Sequence, residues 1–184
     1  VALDRSAHGP FHQHFHGVYN HTMVSPEPYP IAGCGHGFFM VKNETWKKIG
    51  GYHPMQRSYG GREPFVTFKA ALFGFQNYTV PTTNHIHYNG RRLYEWVTNV
   101  GDRGSSGTWY RNVLQSAYCI GGEPWLDRIY TKFKNRPKVK PQVIEQLRNE
   151  AVAQSTEQRK FVLDNQLMPF DDIFKIWEEK KVFF

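Results

Sequence analysis

This chain of 184 residues has little cysteine, no long apolar run and no excess of acidic charge. Two cysteines, Cys34 and Cys119, are too few for a disulfide framework, and spacing alone leaves open whether they pair. No apolar stretch approaches the ~20 residues of a membrane span. Val1 to His8 combines neither a basic start nor an apolar stretch, so nothing there reads as a signal peptide, and the expected location is cytoplasmic. The absent initiator Met reads as a processed chain or a fragment. No Asp-x-Asp occurs; the pair Asp171-Asp172 sits in a predicted tail helix. Three Asn-x-Thr sequons begin at Asn20, Asn43 and Asn77, and are read as chance occurrences.

What the chain does have is aromatic side chains, 16% of residues, and a net charge of +7. That charge permits phosphate, nucleic acid or anionic lipid as partners. The basic residues are scattered, densest from Lys132 to Lys140, and no nucleic-acid module accompanies them. Nucleic acid is therefore not the expected partner, and no membrane span is expected. The aromatic content suits both a core and stacking on sugar rings.

Along the chain, His12, His14 and His16 alternate strictly. On a strand their rings share one face but lie about 7 Å apart, too wide for one ion without bending, so surface or interface roles are expected. Pro26, Pro28 and Pro30 mark a loop. Gly37 to Val41 reads as a buried strand after a glycine hinge, and Asn43 as the cap of a short helix, Glu44 to Ile49, stopped by Gly50-Gly51. Pro64 suits the first position of the next helix, whose Phe65, Phe68, Leu72 and Phe75 recur at helical spacing. Gln76 to Pro81 reads as a strand. A strand–helix–loop–helix–strand order predicts an α/β domain.

Beyond His87, Gly101 to Gly107 reads as a loop and Trp109 to Cys119 as a helix ended by Gly121-Gly122. Pro124 opens a further helix. A basic linker, Arg136 to Pro141, precedes a polar helix from about Gln142 to Leu163 and a last one from about Phe170 to Lys180. The division expected is residues 1–134 and a linker with helical tail, 135–184.

Chemistry concentrates between Tyr59 and His87. A glycine turn, Tyr59-Gly60-Gly61-Arg62, delivers the carboxylate of Glu63 to a helix entrance, and a following strand carries His85 and His87. The ordered matches Gly35 to Val41, Trp46, Gly50-Gly51-Tyr52, Tyr59 to Glu63, Thr67-Phe68-Lys69, Val80-Pro81 and His87 resemble the C-terminal half of GT-A-fold glycosyltransferases. The type is family 2 or polypeptide N-acetylgalactosaminyltransferase, and the resemblance spans roughly residues 31–134.

The resemblance implies a partial GT-A sheet with flanking helices, and transfer of a sugar from a nucleotide-sugar donor to a carbohydrate or other hydroxyl acceptor. It implies Mn²⁺ or Mg²⁺ as cofactor, with Glu63 as catalytic base and His87 as a metal ligand. Gly35, His36, Gly37, Tyr59, Gly60, Gly61, Arg62, Arg91 and Trp96 would contact substrate. Two departures stand out: Arg62 occupies the first acidic position of the family's pair, and His53 the position usually held by Asp. The donor-binding half of the family would precede Val1.

Plainer readings stand beside each assignment. Glu63 also fits as a helix-terminal charge, which the helix dipole favours. His87 also fits as an ordinary strand histidine, Arg91 and Arg92 as a solvated pair, and Trp96 and Trp109 as core. Cys34 has no partner base identifiable by spacing. The rival function is a non-catalytic carbohydrate- or nucleic-acid-binding domain.

Overall fold

The computed structural model describes residues 26–31, 39–57, 61–80, 107–135 and 140–179. About 70% of them are helical, and the sheet has two strands. The expected α/β sheet core is thereby overturned. Strand β1 (Tyr29–Ile31) pairs antiparallel with β2 (Asn77–Thr79), Pro30 lying opposite Tyr78. Among the described residues both are edge strands, where proline is tolerated. The expected loop at Pro26 to Pro30 thus ends in a strand.

The strand expected over Gly37 to Val41 is also corrected, over the part described. Phe39 to Val41 is irregular, with Met40 77% and Val41 39% exposed. A short apolar run does not distinguish a buried strand from a surface segment. Here Phe39 alone turns inward, onto Trp46 and Tyr52.

Helix α1 (Asn43–Ile49) begins one residue early, with Lys42 at the cap position and no side-chain cap. Helix α2 (Arg62–Leu72) begins at Arg62, which puts Glu63 inside the helix rather than before it. Pro64 becomes the third helical residue. Its missing N–H costs nothing there, because first-turn amides have no acceptor within the helix. Of the expected apolar stripe Phe65, Phe68 and Leu72 are buried, whereas Phe75 lies beyond the helix end and is half-buried.

Helix α3 (Thr108–Lys134) is two helical segments meeting at Gly122, whose φ of 72° and ψ of −163° are not helical. The break falls on the glycine pair that the sequence marks. Helix α4 (Pro141–Asn165) lies along α3, burying Ile144, Leu147, Ala151, Ser155 and Val162, and α5 (Phe170–Glu179) follows. One buried cluster draws on α2, α3, α4 and α5 together. Trp109, Tyr110 and Phe133 pack ring to ring within it, at 4.8 to 5.3 Å, so Trp109 is a core residue. No described helix is long and apolar enough to cross a membrane.

Candidate functional site

The N-terminal end of α2 carries Arg62 and Glu63, and a set of buried side chains seats it. Gly61 takes the cap position with φ of 73°. A Cβ there would lie 2.9 Å from the Asn112 backbone, so only glycine lets the turn rest on α3. Ser116 Oγ donates to the Gly61 carbonyl at 2.7 Å. Gln56 Nε2 donates to Ser116 Oγ at 2.7 Å and to the Asn112 carbonyl at 2.8 Å. Asn112 Nδ2 in turn donates to the Arg57 carbonyl at 2.7 Å. The loop before the acid and the acid's own turn are thus fixed to one stretch of α3.

Glu63 is half-buried, and its Oε2 is withdrawn from the surface. The Arg62 guanidinium lies 4.3 Å from the centre of the Tyr52 ring, a cation–π contact. Tyr52 meets Trp46 edge-on at 5.2 Å, and Phe39 stands 6.4 Å from both rings. The result is a half-exposed aromatic wall bearing the Arg62 guanidinium, with Glu63 the next residue in the chain.

The core next to the Gly51 turn holds buried polar side chains. Lys69 is fully buried, and its Nζ donates to the Gly51 carbonyl at 2.7 Å. Burial pushes its pKa down to about 8, against a smaller opposing influence from Cys119. His53 is 1% exposed; its Nδ1 accepts from Met55 N at 3.1 Å, which assigns the proton to Nε2, 3.0 Å from Ser155 Oγ. Burial first, and the Lys69 charge second, lower its pKa to about 4. Cys119 is a free, buried thiol, pushed up to about 12 chiefly by burial. Arg159 donates to the Cys119 and Ile120 carbonyls at 2.9 and 3.0 Å. None of these buried groups was singled out as functional from sequence. Lys69 had one readable signal, a charged residue inside the stripe of Phe65, Phe68 and Leu72. For Gln56, Asn112, Ser116 and Ser155 there was none.

Of the residues expected at the site, Gly61, Arg62 and Glu63 are among the described ones, consecutive at the start of α2. Gly35, His36, Gly37, Tyr59, Gly60, His87, Arg91 and Trp96 lie outside the described residues, as do His12, His14, His16, Cys34, His85 and Arg92. Among the described residues no three His, Cys, Asp or Glu side chains converge. They do not form a cradle for Mn²⁺ or Mg²⁺, and no step through a metal follows from them. No family model, curated protein or solved structure matches the chain.

Proposed function

We propose that the chain carries part of a sugar-transfer site, at which Glu63 takes the proton of an acceptor hydroxyl. In transfer with inversion, the acceptor oxygen bonds to the anomeric carbon as its proton passes to the carboxylate. The bond from that carbon to the donor phosphate breaks, and the nucleotide diphosphate leaves with the electron pair. Arg62 offers positive charge beside the reacting groups. The half-exposed rings of Tyr52, Trp46 and Phe39 offer apolar faces against which a sugar can lie.

One observation carries this reading: stretches that match the glycosyltransferase pattern at separate places in the sequence meet at Arg62, the residue before Glu63 at the start of α2. Phe39, Trp46 and Tyr52 form the wall, Arg62 lies on Tyr52, and Lys69 reaches back to Gly51. A helix-terminal acid serving stability alone would not require that gathering. The proposal rests on this cluster, not on a sheet.

The test is titration with a panel of nucleotide sugars, with and without Mn²⁺, followed by assay for nucleotide release and glycosylated acceptor. It is made on this chain and on the chain with whatever coding sequence lies upstream of Val1 restored. Saturable binding with turnover supports the reading. If neither form binds a donor, the enzyme reading fails, and glycan binding without donor binding favours the carbohydrate-binding rival.

A further inference from the structure

Lys69 is a buried cation whose presence packing does not explain. It is 0% exposed, and among the described residues no carboxylate pairs with it. Its ammonium lies 4.3 Å from the Phe65 ring centre and 5.8 Å from that of Phe161. The titratable and charged groups packed round it are His53 from the preceding loop, Cys119 from α3 and, beyond Cys119, Arg159 from α4. None supplies negative charge at neutral pH. An apolar side chain of similar length would avoid the desolvation cost.

What Lys69 does achieve is a short charge-assisted bond to the Gly51 carbonyl, 2.7 Å away and 18 residues back in the chain. Gly50 and Gly51 both have positive φ, 66° and 58°, a turn outside any helix or strand ladder. The next residue is Tyr52, whose ring supports Arg62. We propose that Lys69 is a positioning residue for the Glu63 site, locking the Gly50-Gly51-Tyr52 turn onto α2 so that the Tyr52 ring holds the guanidinium of Arg62, the residue next to Glu63 in the first turn of that helix. This inference rests on the sugar-transfer reading for its catalytic consequence, but not for the lock itself.

The test compares wild type, Lys69→Met and Lys69→Arg. Folded Lys69→Met should lose about tenfold or more in kcat while KM stays within about threefold, the scale of one charge-assisted bond used for orientation. Wild-type kcat should fall on the alkaline side near pH 8 as the ammonium deprotonates, whereas Lys69→Arg, which keeps its proton, should hold its activity to higher pH. Wild-type kcat in Lys69→Met, or the same alkaline limb in wild type and Lys69→Arg, overturns the proposal. If Lys69→Met does not fold, the wild-type and arginine profiles decide alone.

If wild type turns over no donor at all, the sugar-transfer reading falls by itself. Amide exchange of residues 51–57, corrected for intrinsic base catalysis, then decides the lock. Protection lost above pH 8 in wild type and kept in Lys69→Arg supports it; identical profiles sink it.

Discussion

At its C-terminal end α2 is held by apolar contact: Leu72 is fully buried, the Phe68 ring stands 5.6 Å from Phe170, and Phe170 lies 5.2 Å from Trp125. A single backbone bond, Leu167 N to the Leu72 carbonyl at 2.9 Å, adds direction. At the N-terminal end Phe65 and Val66 are buried too, but hydrogen bonds add direction. The Gly61 carbonyl, Gln56, Asn112 and Ser116 form a buried hydrogen-bond seat, and Lys69, in the last turn of the helix, reaches back with its side chain to tie the Gly51 turn. Apolar burial is favourable in many similar arrangements, whereas a hydrogen bond is satisfied in few. The C-terminal end therefore rests mainly on apolar contact, while the N-terminal end adds placement to such contact, and placement is what a carboxylate needs to act as a base.

Breaking the apolar end should have the largest effect on stability. Leu72→Ala is expected to destabilise the fold by about 2–5 kcal/mol, read from denaturant midpoints. Any donor-binding affinity of the molecules that remain folded should change little, because Leu72 ends the helix that Arg62 and Glu63 begin, about 13 Å away along its axis.

Acid attacks the polar region next. His53 is held neutral in the fold, with its pKa lowered from 6.5 to about 4. Above pH 6.5 both folded and unfolded forms are neutral and the full stability is present. Between 6.5 and about 4 only the unfolded chain gains the proton, so stability falls with pH, by roughly 3 kcal/mol in all. Urea midpoints measured from pH 7 to 4 should show this slope in wild type and a shallower one in His53→Gln. Equal slopes would mean that His53 is not buried as described.

Gly61→Ala sharpens the comparison at the seat itself. The new methyl would meet the Asn112 backbone and strain a left-handed residue, for a loss of about 1–3 kcal/mol. Unlike Leu72→Ala, it should also reduce turnover beyond the loss of folded protein, since it pushes the acid turn off α3. Arg148→Ala serves as the mild control. Its pairs with Glu123 and Asp127 lie at the surface, and their removal should cost under about 1 kcal/mol, with no effect on either end of α2.

Helix α2 and its stripe were legible because Phe65, Phe68 and Leu72 repeat at helical spacing, and the break in α3 because Gly121, Gly122 and Pro124 punctuate it. The acid turn was legible through its glycines. The sheet was misread because Phe39 to Val41, the described part of the apolar run Gly37 to Val41, is irregular, and pairing is not a local property. The seat of the site was illegible for a related reason. His53 meets Ser155 across 102 residues and Gln56 meets Ser116 across 60, separations that carry no periodic signal. Serine at positions 116 and 155 looks like any polar residue on a helix until the fold buries it.

The central claim is that Glu63 acts as a base within a site built to hold it. Glu63→Gln keeps the size and much of the hydrogen bonding while removing the basic oxygen. Donor affinity and turnover, measured side by side in wild type and Glu63→Gln, test the claim directly. The account expects affinity within about threefold of wild type and turnover lower by 100-fold or more, the scale of general base catalysis. Turnover retained in Glu63→Gln, or affinity and turnover lost together with the fold, would contradict it.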